Sequence, residues 1–291
     1  MGGGNVIDNS VLQLGRILYT NVWPVYHYFD PSSLSFPATT RTELPAVLNR
    51  LLLEGELDMS PVSSFAYGMA AHKFLLLPGL SVSADGPVKS ILCFSKRPFD
   101  EAVHGRIALT NTSATSVNLL KIIAEKAYGA KPEYVTCEPD LEKMLEHADA
   151  ALLIGDHAIR ADWANSGYVV TDLGVEWKAW TGKSMTFAVW TVSKEAASRY
   201  PERISELTEA LVASKLQSMK DLTPVAKEAQ SRLGGELEYW NEYFANLNYD
   251  LTRERLDGLS LYFRYAREMG LLPETVDIEI WTDTMQIRVN E

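Results

Sequence analysis

The sequence is poor in cysteine, in histidine and in positive charge. Its 291 residues hold two cysteines and five histidines, and 27 Lys and Arg stand against 38 Asp and Glu, for a formal net charge of −11. Cys93 and Cys137 are too few for a disulfide framework or a sulfur-based metal site, so buried unpaired thiols are expected, as in a reducing cytoplasm. The acidic balance argues against a nucleic-acid or anionic-membrane surface as partner. It also requires that any anionic ligand be held by local donors. No run approaches the ~18 apolar residues of a membrane span. The opening "MGGGNVIDNSVLQLG" has neither the basic start nor the continuous apolar core of a secretion signal, and a cytoplasmic chain is expected. Absent too are G-x-G-x-x-G, a phosphate-loop lysine, H-E-x-x-H and paired C-x-x-C, so no cofactor or metal is expected from motifs.

What is present is a strand–helix alternation. "LQLGRILY" (12–19) reads as a first strand that ends in the loop "TNVWP", where Pro24 stops further pairing. Leu44, Val47, Leu48, Leu51 and Leu52 fall on one helical face, with Gly55 as a C-cap. "ELDMSPVSSFAY" reads as a strand that breaks at Pro61 ahead of Ser63 and Ser64. The segment 75–95, with "SILCF", holds one or two strands. "RIALT" then leads into a helix over 116–128, "PEYVTC" is a strand, 140–147 a short helix, and "AALLIGD" a buried strand before the helical "HAIRADWAN". After a strand at 187–193 the chain turns helical, over 201–220, 223–232, 236–246 and 252–269. Such alternation implies parallel sheets covered on both faces. The length suits two lobes: 1–94 plus 190–291 as the first, and 95–189 as the second, with crossings near 93–97 and 186–192.

In parallel sheets ligands collect at the carboxyl ends of strands, and four loops belong there: that of Asn21, the pair Ser63 and Ser64, the turn 110–116, and Gly155 with Asp156. The turn "TNTSATS" holds five Ser and Thr in seven residues and no charge. One capping hydroxyl would start a helix; five, beside free amides at the positive end of a helix, suit a carboxylate or phosphate. Thr110, Ser113, Ala114, Thr115 and Ser116 are therefore candidates for binding an anion. Asn21 alone reads as a turn residue. Ser90 stands out as a hydroxyl inside an apolar strand, where it needs a partner. Trp177, Trp180 and Trp190 read as core. His157, after the buried strand, reads as a helix-start residue.

Taken in order, "GRILYTNVWP", "LLLEGELDMSPVSS", "SILCFSK", "RIALTNTSATSVNLLKII", "ALLIGDHAI", "DLGVEWKAWTG" and "FAVWTVSKE" resemble the MqnA family, the chorismate dehydratases of the futalosine route to menaquinone. The resemblance runs from about residue 12 to 272, through "YFRYAREMGLL". It implies an α/β, two-lobed type II periplasmic-binding-protein-like fold with a central cleft and a double crossover. It implies dehydration of chorismate, a dicarboxylate, to 3-[(1-carboxyvinyl)oxy]benzoate without a cofactor. Asn21 and Ser90 become the catalytic candidates, and Ser63, Ser64, the 110–116 residues, Gly155 and Asp156 the substrate-binding ones. Arg16 is a further possible carboxylate partner. The motifs offer no obvious base other than Asp156 or His157, so the enolpyruvyl carboxylate of the substrate is expected to take the proton. Two alternatives share the fold. The 1,4-dihydroxy-6-naphthoate synthase of the same route typically has His-Glu at the place of Gly155 and Asp156, and a non-catalytic small-anion binding protein would need a secretion signal.

Overall fold

The computed structural model describes residues 10–165 and 167–282. The chain ends assigned to the first lobe at 1–9 and 283–291 lie outside them. Eleven strands among the described residues form two sheets. The first holds β1 (Leu12–Ile17), β2 (Ala38–Glu43), β3 (Met59–Ser63), β4 (Phe74–Ala84), β10 (Met185–Ser193) and β11 (Leu247–Asn248). The second holds β5 (Ile91–Ser95), β6 (Arg106–Thr110), β7 (Glu133–Cys137), β8 (Ala150–Ile154) and β9 (Val169–Asp172).

The two sheets repeat one plan. Their orders are β2-β1-β3-β10-β4-β11 and β7-β6-β8-β5-β9. In each, three strands run parallel at one side, and the next is antiparallel to both its neighbours. That antiparallel strand is the one by which the chain arrives from the other lobe. β5 and β10 belong whole to the sheets they enter, so the chain crosses at 85–90 and again at 182–184, some residues before the crossings expected at 93–97 and 186–192. Both strands sit centrally in their sheets and are buried almost throughout. Continuous burial is what a strand covered on both faces shows. The alternation is plain in the second sheet: Cys93, Ile107, Leu109 and Leu152 face the main core, while Leu92, Phe94, Ala108 and Leu153 face a smaller cluster with Met144 and Leu145.

Two expectations change, and one strand gave no signal. β3 does not break at Pro61 but runs to Ser63, with Pro61 opposite Trp190. On its other side β1 registers with β3 only at Leu14 and Met59, so the missing N–H of Pro61 leaves no ladder gap there. β2, "ATTRTE", is an exposed edge strand without apolar alternation, held by parallel pairing along the whole of β1. Cys137 is only half buried, whereas Cys93 is fully buried, and both are free thiols.

The C-terminal helices Pro201–Lys220, Thr223–Leu233, Leu237–Asn246 and Arg253–Glu268 cover the first lobe. Arg253–Glu268 packs on β10 and reaches across to the Ala114–Ile122 helix of the second lobe. Gly258 allows this approach, because a Cβ there would strike the Ser184 carbonyl just before β10. No helix among the described residues is long and apolar enough to cross a membrane. Gly258→Ala is expected to lower unfolding stability by about 1–3 kcal/mol, the usual effect of overpacking. Denaturant titration checks this, and an unchanged midpoint would contradict the contact.

Candidate active site

The carboxyl ends of the parallel strands β1, β3, β6 and β8 point into one cleft between the lobes. β1 delivers Tyr19 and Asn21, in a loop that is wound as a short 3-10 turn, Thr20–Val22. β3 runs into the Ser64–Met69 helix, whose cap Ser63 accepts from the Ala66 N–H at 3.4 Å. β6 leads to the Ala114–Ile122 helix, whose cap Ser113 accepts from the Ser116 N–H at 3.3 Å. β8 enters the Gly155–Ala164 helix with no side-chain cap. The first amides of each helix have no partner in their own helix, and the dipole makes that end positive.

Tyr19, Asn21, Ser63, Ser90, Ser113 and Ser116 provide the polar wall of a pocket, and Ile17, Pro45, Ile91, Ile154, Phe187 and Ala188 the apolar one, with Gly155 between them. No charged side chain lines it. Its open space is about 40 Å³, room for a few water molecules and not for a ring bearing carboxylates.

Ser90 sits on the first crossing, and the reason lies in the backbone. Lys89 has a φ of 58°, the only non-glycine residue of the described chain in the left-handed region, a strained conformation unless its surroundings impose it. Asp172 imposes it: one carboxylate oxygen accepts from the Val88 and Lys89 N–H groups at 2.9 and 2.7 Å, and the other from Gly174 N–H at 2.8 Å. Burial pushes the Asp172 pKa up, and the amide donors partly offset this. The Ser90 hydroxyl accepts from Tyr243 at 3.0 Å and donates to the Val88 carbonyl at 3.3 Å, while the Ser90 carbonyl accepts from Gly155 N–H at 2.7 Å. Gly155 has a φ of 56°, and the Tyr19 ring lies 2.9 Å from where its Cβ would be. Glycine is thus required there for both conformation and space.

Asn21, Ser63, Ser90, Ser113, Ser116 and Gly155 are brought together. Ser64, Thr110, Ala114, Thr115 and Asp156 are not on the pocket wall. The Ser64 hydroxyl donates to the Thr186 carbonyl, and the Thr110 hydroxyl pairs with that of Thr112 inside the turn. Ala114 opens its helix. Thr115 Oγ1 accepts from Phe65 N–H at 2.9 Å, and Asp156 Oδ1 accepts from the Thr20 hydroxyl at 2.6 Å and its N–H at 3.3 Å. Both bonds join the lobes. His157 meets the Tyr19 ring edge-on at 6.3 Å, and Arg16 faces a different cavity.

Sequence reasoning missed Tyr19, Phe187 and Tyr243. Tyr19 was legible, since it lies in the same loop as Asn21; Tyr243, on a helix 153 residues beyond Ser90, gave no signal. The Asn21 carboxamide oxygen is buried without a hydrogen-bond partner, and the Tyr19 hydroxyl, facing Thr112, has none of ordinary geometry. Buried polar atoms left open in a pocket are places for ligand atoms. Burial raises the Tyr19 pKa, so it is held as a donor. Among the described residues no cluster of three or more His, Cys, Asp or Glu is placed to hold a metal ion.

A family model described as menaquinone biosynthesis matches residues 12–268. A chorismate dehydratase of Thermus thermophilus is 35% identical over 273 residues, 89% of this chain and 95% of that protein. Among solved structures, a protein of Archaeoglobus fulgidus superposes with a TM-score of 0.73 at 18% identity, covering 90% of this chain and 98% of its own. The alkanesulfonate-binding protein of Xanthomonas axonopodis pv. citri, bound to MOPS, gives 0.70 at 14% identity, with 91% and 95% covered. The periplasmic aliphatic sulphonate-binding protein of Escherichia coli gives 0.66 at 15%, with 94% and 92% covered. These structures share the fold, a two-lobed binding-protein architecture.

Burial raises the Asp156 pKa, with the Thr20 donors and Arg160 acting the other way. A carboxyl whose folded pKa is raised contributes stability below its unfolded pKa, and that contribution is lost as pH rises through the folded one. Asp156→Asn keeps an oxygen to accept from Thr20 and never ionises. The difference in unfolding midpoint between variant and wild type is expected to move in the variant's favour as pH rises from acid to neutral. A flat difference, or one that moves the other way, would contradict the assignment.

Proposed function

The chain belongs to the menaquinone-biosynthesis family, and on that premise we propose that it is a chorismate dehydratase, a lyase that converts chorismate to 3-[(1-carboxyvinyl)oxy]benzoate and water in the futalosine route. A cytoplasmic setting accords with its two free thiols. The observation that carries the reading is the pocket itself: hydroxyls and helix-start amides from both lobes, and no charged side chain. Such a site favours an anion through fixed dipoles. A substrate with two carboxylates matches a cleft with a helix start on each wall, and Ile17, Ile91, Ile154 and Phe187 suit its ring.

The reaction breaks the ring C3–H bond, and its electron pair forms the new ring double bond as the C4–O bond breaks. The hydroxyl leaves with a proton as water, and the ring becomes aromatic. Aromatisation drives the step, so the protein's task is orientation and the movement of one proton. The wall of the pocket has no carboxylate or imidazole to act as base, and Tyr19 is held protonated. The enolpyruvyl carboxylate of the substrate is then the base nearest C3. Asn21 has an open carboxamide oxygen and an amide with which to orient that carboxylate or to meet the departing hydroxyl. Ser90, fixed by Tyr243 and by the crossing, does the same from the opposite side. Ser113, Ser116 and the first amides of Ala114–Ile122 hold the other carboxylate.

Purified protein mixed with chorismate should give a product lighter by one water, with a benzoate spectrum. Unchanged chorismate that nonetheless protects the protein against heat would make it a binding protein. Asn21→Ala and Ser90→Ala are each expected to lower kcat by ~10²-fold, the scale of misplaced reacting groups, and Ser113→Ala to raise KM. Tyr243→Phe should lower kcat by about 3- to 10-fold, as the loss of one neutral hydrogen bond does. Turnover abolished by both Asp156→Asn and His157→Ala, with binding intact, would overturn the substrate as base.

A further inference from the structure

The loop that carries Asn21 has a second face. Beyond the Thr20–Asp156 hydrogen bonds lies a cavity of about 500 Å³ that shares no lining residue with the cleft pocket. This size is typical of small-molecule sites. Arg16, His27, Asp156, Glu228 and Arg232 bring charge to its wall, and Trp23, Tyr26, Phe29, Leu18 and Leu233 bring aromatic and apolar surface.

The charges are not balanced by contacts. Glu228 is fully engaged: one oxygen lies 3.1 Å from His27 Nδ1, the other 2.6 Å from Arg232. Asp156 accepts from Thr20. The Arg16 side chain makes no hydrogen bond or ion pair among the described residues. Its guanidinium lies over the Tyr26 ring at 5.0 Å, and that of Arg232 lies over Trp23 at 5.1 Å. Tyr26 is itself fixed, donating to the Gly15 carbonyl and accepting from the Trp190 indole, both at 3.1 Å. Arg16 is therefore a half-buried cation on a rigid aromatic base, and the Glu228 carboxylate that attracts it across the cavity is already bonded to His27 and Arg232. Burial holds its pKa below the ordinary arginine value. A partly desolvated charge in this position is unfavourable until an anion meets it.

We propose that this cavity is a second ligand site, for a small aromatic monocarboxylate whose carboxylate meets Arg16 and whose ring lies among Leu18, Phe29 and Leu233. Two carboxylates already in the wall disfavour a dianion. The two guanidiniums disfavour a cation, and the apolar surface favours a ring over acetate or phosphate. The site is linked to the cleft, because Asp156 lines the cavity and holds the residue before Asn21. By linkage, each site then changes the other's affinity by the same factor. The assignment of the cavity does not depend on the reaction proposed for the cleft.

Calorimetric titration of the full chain with benzoate tests it, with Arg16→Gln, Arg232→Gln and Ser113→Ala compared against wild type. Wild type and Ser113→Ala should bind with the same Kd, and Arg16→Gln about tenfold or more weakly, the scale of a lost charge-assisted hydrogen bond. If Arg16→Gln does not fold, as judged by circular dichroism, weaker binding by Arg232→Gln supports the site in its place. Binding lost in Ser113→Ala but kept in the arginine variants would place benzoate in the cleft and overturn the proposal. So would the absence of saturable binding to wild type, or binding that none of the three changes.

Discussion

The Asp172 carboxylate, gripping the amides of Val88 and Lys89, is the interaction on which the site depends. It holds a lysine in a backbone conformation that lysine seldom adopts, and so turns the chain from one lobe to the next at a fixed angle. Ser90 follows at once, its carbonyl tied to Gly155 and its hydroxyl to Tyr243. One short segment thus registers both lobes and the C-terminal helical cover against each other. The same carboxylate caps the Leu173–Thr181 helix, whose end returns the chain to the first sheet.

The protein is acidic, yet the donors that line its cleft suit an anion. The two facts are compatible because the donors are local. Backbone amides at helix starts and serine hydroxyls carry fixed dipoles, screened little inside a closed cleft. They impose no net charge that the rest of the molecule must neutralise. A site without cationic side chains spares a substrate carboxylate the strong lowering of pKa that a guanidinium or ammonium would cause, although the amide and hydroxyl donors also favour its charged form. Recognition and proton abstraction by the same carboxylate are then compatible. The outer cavity is the opposite case, with guanidiniums stacked on aromatic rings and carboxylates beside them.

Closure has a physical description here. Phe65 makes one hydrogen bond to Thr115 across the cleft and Thr20 makes two to Asp156, and Tyr262 adds one from the helical cover to the Thr115 carbonyl at 3.1 Å. Each contributes on the order of 1 kcal/mol, few enough to break and remake as the lobes part and meet. The open space of the pocket, about 40 Å³, is smaller than a ring-sized ligand. The crossings at 85–90 and 182–184 are the only stretches by which β4 continues into β5 and the Leu173–Thr181 helix into β10.

Much was legible in the sequence because it is local. Apolar runs such as "SILCF" and "AALLI" marked strands buried on both faces, and apolar residues at helical spacing, such as Leu44, Val47, Leu48, Leu51 and Leu52, marked helices. The turn "TNTSATS" announced a helix start rich in donors, and the loops after β1, β3, β6 and β8 were correctly placed at strand ends. β2 was illegible, since an exposed edge strand has no alternation to read; Pro61 misled, since its effect depends on whether a neighbour needs its N–H. Which hydroxyls face the cleft was not local information either. Ser113 and Ser116 face it while Thr110 and Thr115 bond elsewhere, and only packing decides between them. The sequence alone determined the fold class and the donor-rich helix starts at the strand ends, because capping, periodicity and charge act over a few residues. The tertiary structure decided the left-handed turn at Lys89, the meeting of Ser90 with Tyr243, and the unpaired Arg16 in its own cavity, because each arises from groups far apart in the chain.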